Sequence, residues 1–304
     1  MISVQSPGAF TTVQDLGRPG YGLVGLSRAG AADPVAIRLG NRLLGNWENT
    51  AALEMTLLGG TFQFHHGADV AVTGGACGPA MWKPFRVAPG GILKFGPITG
   101  GVRSYLCIRG GIQVPLVGGS ASTHMHGALG GLEGRALRKG DVLELGSEEA
   151  SGVIRSGLRP EVLAALAYRS TLRVTRGPQA DRFDAANLAR FHSQAYKVSN
   201  NSNRLGIRLE GPALSLSDGA EMTTEGVPLG AVQVAAGGHP IILFVDQQTT
   251  GGYPKIANVI TVDLPSVGQL RPGDEVRFQQ VDPSEAQRLI LDRETLLRSE
   301  EIFL

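Results

Sequence analysis

The sequence has few of the features that mark nucleic-acid-binding, membrane or disulfide-rich proteins. Its net charge is +1 and no basic run exceeds two residues, which argues against a nucleic-acid or anionic-membrane partner. No wholly apolar run approaches the ~20 residues that a membrane-spanning helix needs. The first residues resemble no secretory signal, and the two cysteines lack Cys-x-x-Cys spacing. We therefore expect a cytoplasmic protein that binds neither nucleic acid nor membrane.

The motifs of several large enzyme classes are missing as well. The sequence has no Gly-x-x-x-x-Gly-Lys phosphate loop, no Gly-x-Ser-x-Gly elbow and no His-Glu-x-x-His zinc helix. His124 and His126 would share one face of an extended segment, but no third ligand accompanies them. We predict no metal site.

Glycine, by contrast, is abundant. It accounts for 43 of the 304 residues, about twice its usual frequency of ~7%. Together with several short alternating apolar segments, this predicts many tight turns and a mainly β chain. A short helix is expected after Asp33-Pro34, because the acid can cap it and proline fits its first turn. A second, amphipathic helix is expected after Asp282-Pro283, packing on its own domain or binding a partner.

Short motifs recur in the same order in the two halves of the chain. The matching segments are 67–74 with 219–226, 103–108 with 240–245, and 137–142 with 270–276. A single match is weak, but several in order indicate an internal repeat. The predicted organisation is a β domain at 1–150, a linker at 151–169, a second β domain at 170–282 and a C-terminal helix at 283–304.

One polar loop stands out in the second half. The apolar strand Ile241–Val245 ends on Asp246, and seven residues of amide, hydroxyl, glycine and phenol chemistry follow at once. A tight turn explains Gly251 and Gly252, but the whole run exceeds what a turn needs, so we interpret it as a binding loop. If the segment around Glu225 pairs with this strand, the two carboxylates would be neighbours and the pKa of one would rise.

Two other segments place cations beside glycine-rich main chain. Gln14, Asp15 and Arg18 lie within five residues of one another. Two interpretations stand here: an Asp15–Arg18 ion pair that holds the loop, or a guanidinium that binds a carboxylate or phosphate. Arg204 and Arg208 are an even number of residues apart, so an extended segment would turn them to the same face.

These segments together resemble one family. The residues that carry the resemblance are Thr12-Val-Gln-Asp-Leu-Gly-Arg18, Gly30-Ala-Ala-Asp33, Ser202-Asn-Arg-x-Gly206 and Asp246-Gln-Gln-Thr-Thr-Gly-Gly-Tyr-Pro254. They are similar to the biotin-dependent carboxyltransferase/KipA family over about residues 2–282. The resemblance implies a pair of cyclophilin-like β-barrel domains with a few short helices, which agrees with the repeat.

The resemblance also implies an activity and partners. Members of this kind act with two other proteins, one KipI-like and one LamB/YcsF-like, and use ATP to open the lactam of 5-oxo-L-proline to L-glutamate. This interpretation implies that ATP is shared with the partner proteins and that the chain is inactive alone. Two alternatives stay open: a KipA-like regulator that antagonises a histidine-kinase inhibitor, and the carboxyltransferase half of a urea carboxylase-type biotin enzyme. No Met-Lys-Met motif occurs, so we expect no biotin on this chain.

The candidate site residues follow from this interpretation. Asp246 or Glu225 would handle a proton. Cationic side chains would bind carboxylate or phosphate oxygens, and amides and hydroxyls would bind the lactam. The predicted substrate-binding residues are Gln14, Asp15, Arg18, Arg204, Gln233, Thr249, Thr250, Gly251, Gly252, Tyr253 and Lys255.

Overall fold

A computed structural model of the chain describes residues 1–78, 80–148, 152–216 and 221–304. The chain divides into two compact units. The first comprises Met1–Arg18, Ala29–Ala167 and Ser299–Leu304, and the second comprises Pro19–Arg28 and Tyr168–Arg298. The predicted junction between residues 150 and 151 lies outside the described residues, and the predicted domain limits stay a prediction. No helix in the described ranges is long and apolar enough to cross a membrane.

The first unit is built on two five-stranded sheets. Its strands are β1 (Ile2–Ser6), β2 (Phe10–Gln14), β3 (Ala52–Thr56), β4 (Thr61–Phe64), β5 (Ala68–Ala76), β6 (Pro84–Val87), β7 (Ile92–Lys94), β8 (Thr99–Ile108), β9 (Ile112–Gln113) and β10 (Val142–Leu145). One sheet has the order β7-β4-β1-β10-β9 and the other β2-β3-β8-β5-β6. An apolar cluster that includes Ile2, Phe62, Phe64 and Leu106 contains residues from both sheets.

In the part of the unit that the structure describes, two α helices accompany these sheets, α1 (Pro34–Leu43) and α2 (Pro160–Ala165). Helix α1 begins as predicted. The Asp33 side chain accepts a hydrogen bond from the Ala36 N–H at 3.0 Å, and Pro34 occupies the first helical position. Because seven of its ten residues are buried, this helix is held mainly by its contacts with β5 and β8.

The second unit is built on a closed seven-stranded barrel. The strands of the unit, which include two outside the barrel, are β11 (Thr171–Arg176), β12 (Tyr196–Val198), β13 (Gly206–Glu210), β14 (Glu225–Gly226), β15 (Ala231–Val234), β16 (Pro240–Leu243), β17 (Thr250–Gly251), β18 (Lys255–Val259) and β19 (Glu275–Gln280). The barrel has the order β11-β18-β15-β16-β13-β12-β19, and β14 and β17 form a separate two-stranded ribbon. The predicted mainly β fold is confirmed.

Three α helices occur in the described residues of this unit: α3 (Ala185–Ser193), α4 (Leu264–Gln269) and α5 (Pro283–Arg298). Aromatic stacking holds α3 against the barrel, since the rings of Phe191 and Phe278 lie 4.4 Å apart and nearly parallel. The ring of Tyr196 contacts both. The helix predicted after Asp282 is α5, which begins at the expected residue and ends at Arg298.

One turn of the predicted repeat recurs with the same hydrogen bond. Asp141 accepts a hydrogen bond from the Arg138 N–H at 2.7 Å, and Asp274 accepts one from the Arg271 N–H at 2.8 Å. The glycine that precedes each aspartate has a φ of 94°. This is left-handed backbone that a side chain would strain, which explains why Gly-Asp occurs in both halves.

The strands that follow this turn are paired differently. In the first unit β10 pairs antiparallel with β1, whereas in the second β19 pairs parallel with β11 and antiparallel with β12. The match of 67–74 with 219–226 falls partly outside the described residues, and its described end is the ribbon strand β14, not a barrel strand. The two halves therefore share this local turn, but the strands that follow it pair with different neighbours.

Candidate functional site

A row of four side chains crosses the barrel in the second unit. Arg208 on β13 is paired with Ile241 on β16, which is paired with Gln233 on β15. Gln233 is paired in turn with Lys255 on β18, across a β-bulge. Directly opposed residues on neighbouring strands place their side chains on the same face, so this row brings a cation, an apolar side chain, an amide and a second cation together.

A cleft of about 280 Å³ lies over part of this row. Its polar lining consists of Asn203, Arg208, Gln233, Gln248 and Tyr253. Leu205, Gly206, Ala235, Ile241 and Leu243 supply the apolar lining. An apolar surface with a few convergent polar groups is the usual composition of a small-molecule site.

Several polar groups in the cleft are uncommitted. Among the residues that the structure describes, the guanidinium of Arg208 has no hydrogen-bond or ion-pair partner, although its main chain is held on both sides by the Ser202 hydroxyl. The Asn203 oxygen accepts from the Leu205 N–H at 2.8 Å, which fixes the amide and leaves its NH2 group to donate elsewhere. Gln233 donates to the carbonyl oxygen of Tyr253 at 3.3 Å.

The predicted ligand-binding cation Arg204 is instead part of a buried ion pair. Its Nε donates to Oδ2 of Asp246 at 2.8 Å and its Nη2 to Oδ1 at 3.0 Å. Both side chains are less than a tenth exposed. The expectation that Arg204 and Arg208 share a face is wrong, because Arg204 precedes β13 and lies in the turn before it.

The second predicted acid, Glu225, is paired with a different cation. Its Oε1 accepts hydrogen bonds from the Lys255 ammonium and, at 2.8 Å, from the Gln179 amide. The Lys255 bond first, and the Gln179 bond second, lower the pKa of Glu225. The conditional expectation of a raised pKa is therefore wrong for Glu225: its strand β14 pairs with the loop strand β17, and its carboxylate faces a cation.

The polar loop after Asp246 is fixed mainly through its main chain. The Thr249 carbonyl accepts from the Val227 N–H at 3.0 Å, and Thr250 and Gly251 form β17. Gly252 accepts from the Met222 N–H at 3.0 Å. The hydroxyls of Thr249 and Thr250 have no hydrogen-bond partner within the described ranges. The Gln247 amide is buried and donates to the Val227 carbonyl at 2.9 Å. The loop thus presents the two threonine hydroxyls while its backbone stays anchored.

Gly251 is a point of close approach. A Cβ atom there would lie 2.8 Å from the side-chain nitrogen of Gln233 and 3.3 Å from a methyl group of Val227. Real Cβ atoms essentially never come that close, so any side chain at Gly251 would displace the Gln233 amide. Gly226 opposes Thr250 on the same ribbon and has open space around it.

In the first unit, Asp15 anchors one loop to another. Its carboxylate accepts hydrogen bonds from the Ser120 hydroxyl at 2.6 Å, the Ser122 hydroxyl at 2.5 Å, the Ala121 N–H at 2.7 Å and the Gly17 N–H at 2.7 Å. Four donors on one buried carboxylate satisfy it fully. Asp15 therefore holds its own loop to the loop at residues 120–122, and we call this contact the loop junction.

The neighbouring predicted residues are engaged in the same junction. Arg18 is 1% exposed and donates to the carbonyls of Val117, at 3.0 Å, and Ser122. Gln14 is fully buried and donates to the Thr123 carbonyl at 3.1 Å. These contacts favour a structural role for Arg18 over the binding of an external anion.

A buried acid in the first unit was not among the predicted residues. Glu54 is fully buried in β3 and accepts from the Tyr105 hydroxyl at 2.7 Å and the Ala32 N–H at 2.8 Å. Burial, and then the charge of Glu54, raise the pKa of Tyr105 well above its usual value. A lone acid inside an otherwise apolar strand is the sequence signal for such a group. No group of three or more His, Cys, Asp or Glu side chains that could hold a metal occurs in the described part of the chain.

Comparison with known proteins assigns the family. The sequence pattern of "Carboxyltransferase domain, subdomain A and B" matches residues 24–280. The chain belongs to this carboxyltransferase domain family. It is 37% identical to proteins named as the C subunit of 5-oxoprolinase from Haemophilus influenzae, covering 95% of this chain and 94% of that one, and from Escherichia coli, covering 97% and 96%.

Larger proteins of the family contain the same fold as one part. The chain is 36% identical to the urea amidolyase of Saccharomyces cerevisiae over 98% of its own length but only 18% of that protein. The crystal structure of the Kluyveromyces lactis urea amidolyase superimposes with a TM-score of 0.90 at 33% identity, over 100% of this chain and 20% of that one. The family resemblance inferred from the sequence is thereby confirmed.

Within this family fold, the structure sorts the predicted residues into separate groups. Tyr253 and Gln233 line the cleft, Arg204 is paired with Asp246, and Lys255 with Glu225. Gln14, Asp15 and Arg18 belong to the loop junction of the first unit. The set of predicted residues omits Asn203, Arg208 and Gln248, although each lies within or beside a segment that carries the family resemblance.

Proposed function

We propose that the chain is the C subunit of an ATP-dependent 5-oxoprolinase that converts 5-oxo-L-proline to L-glutamate. The observation that carries this proposal is the similarity to two proteins named as that subunit, which extends over at least 94% of each of them. The partners on this proposal are a KipI-like protein and a LamB/YcsF-like protein, and the complex acts in the cytoplasm. The chain contributes to the reaction but has no activity alone.

A lactam is a stabilised amide, so its carbonyl carbon has to be activated before water attacks. ATP supplies that activation in the proposed complex. The cleft does not fit ATP: it holds about 280 Å³ and, within the described ranges, one cationic side chain, against the several negative charges of a triphosphate. On this proposal the partner proteins bind the nucleotide, and this chain binds and orients the small substrate.

The two predicted proton-handling acids differ in how accessible they are. The Glu225 side chain is 42% exposed, whereas that of Asp246 is 3% exposed and bound at both oxygens by Arg204. Glu225 is the better candidate, because a substrate or a partner protein can reach it and compete with Lys255 for it. Asp246 would act through the position of Arg204 and of the loop that follows.

The alternative from a different reaction class is a carboxyltransferase that accepts a carboxyl group from biotin on another protein. The structural match to the urea amidolyase favours it as the second candidate. A KipA-like regulator with no turnover is the third.

One reconstitution separates these candidates. Glutamate formation from 5-oxo-L-proline and ATP would be measured with the purified chain alone, with each candidate partner protein from the same genome, and with both. We expect glutamate only when all three proteins are present. Robust activity of the isolated chain would refute the subunit role. Absence of activity in the full mixture, together with urea-dependent consumption of carboxybiotin, would support the carboxyltransferase instead.

A further inference from the structure

We propose that the cleft over the barrel face binds a small carboxylate that carries a neighbouring amide, and that Arg208 is the residue that anchors the carboxylate. The identity of the natural ligand, 5-oxo-L-proline, rests on the proposed function. The chemistry of the cleft does not, because it follows from the lining side chains and their hydrogen bonds.

The charge of the cleft selects an anion. Arg208 is the cation of the lining, and no aspartate or glutamate is among the lining residues. Its guanidinium has no partner in the described parts of the chain, so a carboxylate can bind without displacing an internal ion pair. The Ser202 hydroxyl accepts from the Arg208 N–H at 3.0 Å and donates to its carbonyl at 3.2 Å, which fixes the main chain from which the guanidinium projects.

The amides of the cleft complement a lactam. The NH2 group of Gln233 is directed to the Tyr253 carbonyl, so its oxygen is left as an acceptor for an N–H. The oxygen of Asn203 is engaged by the Leu205 N–H, so its NH2 group is left as a donor for a carbonyl. A cyclic amide has an N–H that needs an acceptor and an adjacent C=O that needs a donor, and the cleft supplies one of each.

The volume of the cleft limits the size of the ligand, and its apolar surface favours a ligand with an apolar part. Its volume of about 280 Å³ lies just below the usual range of ligand pockets, which is about 300 to 1,000 Å³. Ile241 and Leu243 provide apolar surface for ring methylenes. A five-membered ring with one carboxylate fits these limits, and a nucleotide does not.

The test measures binding to the full chain by calorimetry, with 5-oxo-L-proline, 2-pyrrolidinone and cyclopentanecarboxylate as probes. The second probe lacks the carboxylate and the third lacks the amide. Arg208→Gln is the test variant, and Arg277→Gln is the control, since Arg277 is an exposed arginine on the barrel strand β19 outside the cleft lining. Thermal midpoints of both variants establish that they are folded.

We expect 5-oxo-L-proline to bind the wild-type chain, and Arg208→Gln to weaken it by about 10- to 100-fold, the effect of losing hydrogen bonds to a charged group. Arg277→Gln should change affinity less than about twofold, and 2-pyrrolidinone should bind weakly and equally to all three proteins. Equal affinity of wild type and Arg208→Gln for 5-oxo-L-proline, or no binding of either carboxylate to the wild type, would overturn the cleft assignment.

The outcomes also separate this inference from the proposed function. Arg208-dependent binding without glutamate formation by the three-protein mixture would retain the carboxylate site and refute the 5-oxoprolinase. Glutamate formation that survives Arg208→Gln unchanged would retain the enzyme and refute the site.

Discussion

Arg204 and Asp246 are joined three times. Two bonds link the guanidinium to the carboxylate at 2.8 and 3.0 Å, and the Asp246 N–H donates to the Arg204 carbonyl at 2.9 Å. The pair therefore ties the turn before β13 to the start of the polar loop, which are the two segments that supply Asn203 and Gln248 to the cleft. Its function is to hold these segments in place.

Breaking this pair should be costly. Asp246→Ala leaves a buried guanidinium without its carboxylate, and we expect it to lose about 3–5 kcal/mol of unfolding free energy in urea titrations. The Arg204→Met/Asp246→Leu double variant should lose less, because neither charge stays buried alone. Asp292→Ala, which breaks an exposed pair with Arg288, is the control and should lose below about 0.5 kcal/mol. If Asp246→Ala and Asp292→Ala lost equal amounts of unfolding free energy, the Arg204–Asp246 pair would not be a buried, strongly coupled pair.

The Glu225–Lys255 pair should make stability depend on pH. Because the pKa of Glu225 is lowered in the folded chain, the pair stabilises the fold above Glu225's usual pKa of about 4.5, and this contribution is lost as the pH falls through the lowered value. Glu225→Gln should thus lower the thermal midpoint at pH 7, and the difference from wild type should shrink as the pH falls below 4.5 and through the lowered pKa of Glu225.

The matched control for this pair is Glu221→Gln, since Glu221 is exposed and its carboxylate has no partner in the described ranges. Its midpoint should follow the wild type at every pH. A difference between wild type and Glu225→Gln that stays constant across the same pH range would show that the charge of Glu225 is not responsible.

Gly251 should be required for ligand binding and Gly226 should not. Alanine at Gly251 would place its Cβ 2.8 Å from the Gln233 nitrogen and displace that amide, whereas alanine at Gly226 meets nothing within 4 Å. We expect Gly251→Ala to weaken 5-oxo-L-proline binding by roughly tenfold and Gly226→Ala to leave it unchanged. Calorimetry on the isolated chain measures both. Loss of binding in both variants would mean that the ribbon as a whole, and not Gln233, is what matters.

Asp15 should stabilise the first unit. Asp15→Asn replaces a carboxylate that accepts four hydrogen bonds by an amide whose NH2 group would face donors. We expect the free energy of unfolding to fall by roughly 1.5–3 kcal/mol. Asp69→Asn is the comparison, because Asp69 pairs at 3.0 Å with Arg86, which is 55% exposed, and it should cost below about 1 kcal/mol. Urea titrations followed by circular dichroism would measure both. A cost for Asp15→Asn no larger than that for Asp69→Asn would remove the proposed loop-anchoring role.

Local features of the fold were predictable from the sequence because their causes are local. The cap of α1 at Asp33 depends on residues three apart, and the Gly-Asp turns depend on a left-handed glycine. The binding loop after Asp246 could be located by its composition. In each case the responsible residues are neighbours in the chain.

The side chains that face the cleft could not be predicted in the same way. Whether Arg204 or Arg208 points outward depends on where β13 begins, since the strand starts two residues after Arg204 and two before Arg208. The partner of Glu225 depends on the pairing of β14 with β17, whose strands are distant in the chain. Strand register is set by long-range packing, which periodicity alone does not reveal.

A sheet that closes on itself has no edge strand. Every strand of the described barrel has a neighbour on both sides, so the barrel has no row of free N–H and C=O groups to which a partner's strand could be added. The two open sheets of the first unit do end in edge strands, the short β7 and β9 and the longer β2 and β6. Among the five- and seven-stranded sheets that the structure describes, only those of the first unit can thus accept an added strand, and recognition by the barrel has to rely on side chains and loops.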